Sequence, residues 1–209
     1  MQKTGPETRT RISRLALPLA LAMLLPSVAG AAKVGEAAPA FSLPDTQGKT
    51  RTLAEAKGKY VVLEWLNFGC PFVKKHYGAG NMQALQKKYG EKGVLWYSVV
   101  SSAPGKEGHG TPAELQKQNA EKKGAQTAVL LDPKGEVGKA YGAKTTPHMY
   151  VIDPEGKLIY EGAIDDHPSA DPADIPKSKN FVSAALDEAM AGKPVSVSFQ
   201  KPYGCSVKY

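Results

Sequence analysis

Residues 60–75 read Tyr60-Val61-Val62-Leu63-Glu64-Trp65-Leu66-Asn67-Phe68-Gly69-Cys70-Pro71-Phe72-Val73-Lys74-Lys75. The first seven are almost continuously apolar, the pattern of a strand buried on both faces. A cysteine and a proline follow, where the strand gives way to a helix expected over about Pro71 to Tyr89, broken near Gly78 and Gly80. Pro71 suits a first helical turn, because its missing N–H has no helical partner there. Cys70 therefore falls at a helix N-terminus. Unpaired N–H groups and the positive end of the helix dipole stabilise a thiolate at that point. Lys74 and Lys75, one turn on, add positive potential. The thiolate is the nucleophile of disulfide exchange and of peroxide reduction. The alternative is an inert core cysteine.

Upstream and downstream the pattern alternates between strand and helix. Short extended pieces around Phe41-Ser42-Leu43 and Thr50-Arg51-Thr52-Leu53 flank a turn. Val94 to Val100 is a second buried strand. Thr111-Pro112-Ala113-Glu114 opens a helix with a cap, a first-turn proline and a third-position glutamate, and that helix ends near Gly124. Val129-Leu130-Leu131 is a short strand and Glu136 to Tyr141 a short helix. Met149 to Ile152 and Leu158 to Tyr160 flank the turn Asp153-Pro154-Glu155-Gly156, which makes them a hairpin. Asn180 to Ala191 is a last helix, and the tail from Lys193 to Tyr209 reads as polar and extended. The order is that of an α/β thioredoxin-like fold in a single domain, with helices flanking a central mixed β-sheet. Its first two long strands are expected to be parallel, joined by a right-handed crossover.

The N-terminus reads differently. Arg9, Arg11 and Arg14 precede an apolar run from Leu15 to Leu25, and Ala29-Gly30-Ala31 supplies a small-residue cleavage site. Residues 1–31 are expected to be a signal peptide, which would place the product in a periplasm or outside the cell. The run is short for a transmembrane helix, so no membrane span is expected after cleavage. Of the formal +7, the segment holds Lys3 and three arginines against Glu7, which leaves +4 on the rest. Lysines mixed with acids at that charge read as solvated surface, not as a nucleic-acid stripe.

Two cysteines in 209 residues exclude a disulfide-rich scaffold and a four-cysteine zinc site. The histidines His76, His109, His148 and His167 are scattered and read as surface groups, with His148 at the rim of the site. Convergence of Cys70, His76 and His148 on copper or haem iron is the weaker reading, so no metal or cofactor is expected. Asp165-Asp166-His167 and the carboxylates around Asp171 and Asp174 read as a solvated loop.

Trp65-x-x-x-x-Cys70-Pro71 after an apolar strand resembles the thioredoxin active-site junction. Thr146-Pro147-His148-Met149-Tyr150-Val151-Ile152-Asp153-Pro154-Glu155-Gly156 resembles the cis-proline loop and hairpin of that superfamily. The opening Gly35 to Leu43 resembles the start of its redoxin branch. Cys-Pro-Phe-Val-Lys at 70–74 and Gly204-Cys205-Ser206-Val207-Lys208 look closest to a peroxiredoxin-like, AhpC/TSA-type subgroup. The resemblance covers about Val34 to Met190. It implies a thiol redox protein acting on a peroxide or a protein disulfide and reduced by an external thiol. It also implies that Pro147 is cis and that the backbone of Thr146 and Pro147 faces Cys70 and pairs with a substrate chain.

The sequence departs from these relatives twice. Val73 stands where thioredoxins carry the second cysteine of Cys-x-x-Cys, so no short-loop disulfide is available. Leu63 and Asn67 stand where typical peroxiredoxins carry a proline and a Thr or Ser, which leaves the Asn67 amide to bind a substrate in place of the hydroxyl. Asn67, Pro71, Thr146 and Pro147 are thus the candidate substrate-binding residues, and Cys70 and Cys205 the candidate catalytic pair. Cys205 lies thirteen residues beyond Gly192, a length that spans about 40 Å when extended. Three roles stay open for it: a resolving partner of Cys70, half of a structural clamp, or an unpaired or intermolecular thiol. With the clamp, the protein would be a non-enzymatic binding module. The expected layout is a signal peptide at 1–31, a thioredoxin-like domain at 33–192 and a tail at 193–209.

Overall fold

The computed structural model describes residues 1, 2, 5 and 31–209, so the expected signal peptide lies outside them apart from its ends and Gly5. A hairpin of β1 (Ser42–Pro44) and β2 (Thr50–Thr52) leads into β3 (Val61–Trp65). Two helices follow, α1 (Pro71–Gly78) and α2 (Asn81–Gly90), and then β4 (Leu95–Val100). Gly80, in the left-handed region at φ 74°, makes the break between the helices. Next come α3 (Pro112–Glu121), β5 (Ala128–Leu131), α4 (Glu136–Tyr141), β6 (Thr145–Thr146), β7 (His148–Ile152), β8 (Leu158–Gly162) and α5 (Phe181–Met190). The Thr111–Glu114 capping box opens α3 as expected. The tail adds β9 (Phe199–Gln200) and β10 (Cys205–Ser206).

The main sheet runs β5-β4-β3-β7-β8-β9. Strands β3, β4 and β5 are parallel, β7 is antiparallel to both β3 and β8, and β9 is parallel to β8. This is the mixed sheet of a thioredoxin-like fold, with β3 in its interior and Cys70 at the start of the helix that follows β3. Alternation along β3 feeds two cores. Val62 packs with residues of α1, α2 and α5, while Val61, Leu63 and Trp65 pack with Phe41, Leu43 and Tyr141 on the other face. Cover on both faces accounts for the lack of polar alternation in β3.

The exception is Glu64, fully buried within that strand. Its Oε2 accepts from Trp96 Nε1 at 2.8 Å, Ser98 Oγ at 3.0 Å, and Tyr77 Oη and Gln86 Nε2 at 3.3 Å each. Burial raises its pKa above the ordinary carboxyl value, and these donors only partly oppose the rise.

Three sequence expectations need correction. His76 and His148 are not surface groups: both are buried, and of the four only His109 is exposed. Asp165 is buried as well, paired with Lys75 Nζ at 3.3 Å, so the solvated loop begins one residue later. The tail is not merely polar, because Val195, Val197, Tyr203 and Val207 pack against the cores.

Burial has a pH consequence. It lowers the pKa of His76 to about 4, with Asp165 opposing, and that of His148 to about 3, with Lys144 adding to the fall. The unfolded chain takes up protons near pH 6.5, whereas the folded chain resists until far lower. Stability is therefore expected to fall as the pH drops from about 6.5 toward 4. Glu64 and Glu161, with raised pKa values, act in the opposite sense, and the lowered carboxyls of Asp45, Asp166, Asp187 and Glu188 act in the same sense as the histidines. Urea midpoints across this range should show the loss, and His148→Gln should make the slope shallower. A flat profile would contradict the assignment.

Candidate active site

The site is assembled at the C-terminal end of β3. After Trp65 the chain turns tightly: Asn67 Oδ1 accepts from Gly69 N at 2.8 Å, and Cys70 N donates to Asn67 O at 3.1 Å. Cys70 is the N-cap of α1, with extended backbone at φ −66° and ψ 127°, and Pro71 takes the first helical position. Pro71 is exposed beside it, and the Asn67 amide nitrogen is buried without a partner. The two lysines one turn on diverge. Lys74 points to solvent, while Lys75 is fully buried and committed to Asp165 and the His167 carbonyl at 2.9 Å. Only Lys74 is left to contribute the open positive charge expected of both.

Facing Cys70 is the Thr146-Pro147 peptide bond, which is cis. Thr146 and Pro147 are buried. The Cys70 sulfur lies 3.0 Å from the Thr146 carbonyl oxygen, to which its S–H donates when protonated. His148 follows Pro147 but is spent on structure, its Nδ1 lying 3.2 Å from Lys144 N and 3.1 Å from the Tyr150 hydroxyl.

The tail completes the site. Strand β10 pairs antiparallel with β6, Cys205 opposite Thr146 and Ser206 opposite Thr145. Cys205 Sγ then lies 2.7 Å from Cys70 Sγ, both as free thiols. A disulfide needs about 2.05 Å, so sub-ångström movement would close one. Gly204 makes the approach possible: at φ 135°, a Cβ there would collide with the Thr146 carbonyl. Beyond the cysteine, Val207 N donates to Lys144 O at 3.0 Å, Ala103 N to Lys208 O at 2.8 Å, and the Tyr209 hydroxyl to Ala143 O at 2.8 Å. Nothing in the sequence marks Tyr203, Tyr209 or the loop around Ala103 as belonging to this site. The contacts are long-range, and their one local signal is Gly204 beside Cys205.

The two thiols differ. Burial opposes ionisation of Cys70, but hydrogen bonding from Cys205, from the otherwise unpartnered Thr146 hydroxyl, and from the Val73 and Cys205 N–H groups outweighs it and lowers the pKa. Burial together with the Cys70 thiolate pushes Cys205 up to about 12. Of the two, Cys70 is therefore the more acidic thiol. Cys70 has no exposed surface, whereas Cys205 is partly exposed. Among the described residues, no three His, Cys, Asp or Glu side chains form a group able to hold a metal ion, and no helix is long and apolar enough to cross a membrane.

A thioredoxin-like sheet, a helix-terminal cysteine and a facing cis-proline define the redoxin class. The chain belongs to the AhpC/TSA family, which its residues 34–161 match. It is 30% identical over 130 residues, 62% of this chain and 69% of the other, to the thiol-disulfide oxidoreductase ResA of Bacillus thuringiensis subsp. konkukian. An uncharacterized conserved protein from Geobacillus kaustophilus superposes with a TM-score of 0.74 at 30% identity, covering 85% of this chain and 92% of that one. The thioredoxin domain of a thiol-disulfide oxidoreductase from Bacteroides vulgatus gives 0.50 at 26% identity, covering 62% and 87%. The family match stops at residue 161, well short of Cys205.

Proposed function

We propose that the protein is an exported thiol-disulfide oxidoreductase in which Cys70 is the nucleophile and Cys205 its resolving partner. The observation that carries this reading is the 2.7 Å approach of the two sulfurs across the β6–β10 pair. The tail lies on Thr146 where the fold would seat a substrate chain, so a protein disulfide must displace it. The Cys70 thiolate then attacks one sulfur of that disulfide, and the first substrate thiolate leaves. Cys205, on losing its proton, attacks Cys70 Sγ and expels the second. Two electrons have passed from the cysteine pair to the substrate, which leaves a Cys70–Cys205 disulfide. An external dithiol restores the pair: one of its thiolates attacks Cys205, the partly exposed sulfur, with Cys70 departing as the more acidic thiol, and its second thiol then attacks the mixed disulfide, releases Cys205 and leaves the donor as a disulfide. Residues 1–31 would be removed on export, into a compartment where disulfides persist.

The orphaned Asn67 amide supports a second substrate class. Placed where peroxiredoxins carry a hydroxyl, it could hold a peroxide oxygen while the Cys70 thiolate attacks the O–O bond. The products are a Cys70 sulfenic acid and water or an alcohol; attack by Cys205 on the sulfenic sulfur releases water and leaves the same disulfide.

Reduction of a disulfide-bonded protein such as insulin, with a dithiol as electron source, tests the main reading. The wild type should be active and Cys70→Ser inactive. Equal rates for the two proteins would exclude the mechanism, and peroxide consumption in the same preparation decides between substrates.

A further inference from the structure

The β6–β10 pairing is only two residues long. Alone it would hold Cys205 weakly, yet the tail is seated firmly on the N-terminal side of the cysteine by a contact that involves neither strand. Tyr203, two residues before Cys205, lays its ring edge-on against Phe72, with centroids 5.7 Å apart and planes at 66°. Lys75 Nζ lies 5.8 Å from the centroid of the same ring. The Tyr203 hydroxyl donates to Asp165 Oδ1, a carboxylate 2% exposed that also receives Lys75 Nζ on Oδ2 and His167 N on Oδ1. Phe72 and Lys75 belong to α1, the helix whose first turn Cys70 caps. Tyr203 therefore ties the tail to the same rigid body that carries the nucleophile.

We infer that Tyr203 is a positioning residue, its ring on Phe72 and its hydroxyl on Asp165 holding Cys205 over Cys70. The inference rests on the pairing of these two cysteines proposed above. Its consequence is kinetic and thermodynamic at once. A held tail presents the Cys205 thiol to Cys70 at high effective concentration, and a loosened one lowers that concentration without touching either sulfur. Asp165 and Lys75 act through Tyr203; neither is within reach of the reacting atoms by any contact in the site.

The test is redox equilibration of the full chain against a series of reduced and oxidised glutathione, read by alkylation of the remaining thiols and mass spectrometry. Tyr203→Phe loses a bond to a charged acceptor and is expected to weaken the Cys70–Cys205 disulfide about tenfold. Tyr203→Ala, which also loses the ring, should weaken it further. In both variants the pH at which reduced Cys70 ionises should move up, because the Cys205 thiol that stabilises it is no longer held. Loss of packing alone would not move that value. Circular dichroism checks that each variant is folded, and Tyr203→Phe, which deletes a single oxygen, keeps the test alive if Tyr203→Ala is not. Equilibrium constants and Cys70 titrations within twofold of wild type would overturn the inference. A wild type that forms no Cys70–Cys205 disulfide at any ratio would overturn the pairing itself, a result distinct from the first.

Discussion

Cys205→Ser is expected to trap the protein on its substrate. Cys70 keeps its place at the start of α1 and the N–H group of Val73 that faces it, so the first attack on a disulfide still proceeds. The second step has no nucleophile. Val73 occupies the position from which a thioredoxin would resolve, and no other cysteine exists in the chain. Turnover should drop by at least about a hundredfold, the scale lost when a nucleophile held at high effective concentration is removed. A mixed disulfide through Cys70 should accumulate on non-reducing gels. Loss of the Cys205 hydrogen bond should also raise the Cys70 pKa, since that bond is the leading influence that lowers it. Wild-type turnover in Cys205→Ser would mean that an external thiol resolves the intermediate unaided.

Gly204→Ala should open the site. Gly204 holds φ 135°, a conformation that L side chains rarely adopt, and an added Cβ would strike the backbone carbonyl of Thr146. Backbone against backbone cannot be relieved by a rotamer change, so β10 must lift from β6. Cys70, which has no exposed surface while the tail is seated, would then face solvent. Its alkylation by iodoacetamide is expected to accelerate on the order of tenfold or more. That is the factor gained when local opening worth about 1.4 kcal/mol is no longer required. The thioredoxin-like core does not depend on this contact, and its far-ultraviolet dichroism should be unchanged. An unaltered alkylation rate would show that the tail does not shield Cys70.

Much of the framework could be read from the chain. The apolar run of β3, the proline after Cys70 and the glycine break between α1 and α2 are local signals, and each lies where expected. The helix Glu136–Tyr141 agrees to the residue. The hairpin turn and the capping box of α3 follow in the same way, and the Thr146-Pro147 bond is cis, as the family resemblance implied and no local signal did. What escaped was the fate of polar groups. Lys74 and Lys75 look alike in sequence, but a helix turns adjacent residues by about 100°, so one meets solvent and the other meets Asp165. Glu64 sits inside an apolar strand, and only its ring of donors from Tyr77, Gln86, Trp96 and Ser98 explains how burial is tolerated. Strand β10 could not be foreseen, because two residues have no periodicity. Its position depends on pairing with a strand about sixty residues earlier in the chain.

The proximity of Cys70 and Cys205 carries the account, and it can be measured directly. Non-reducing peptide mapping by mass spectrometry, on full-length protein poised across a glutathione redox series, reports whether the two residues are covalently joined. The account predicts one intramolecular Cys70–Cys205 peptide that appears under oxidising conditions and disappears reversibly under reducing ones. A link that never forms, or one that persists at every ratio, would contradict it.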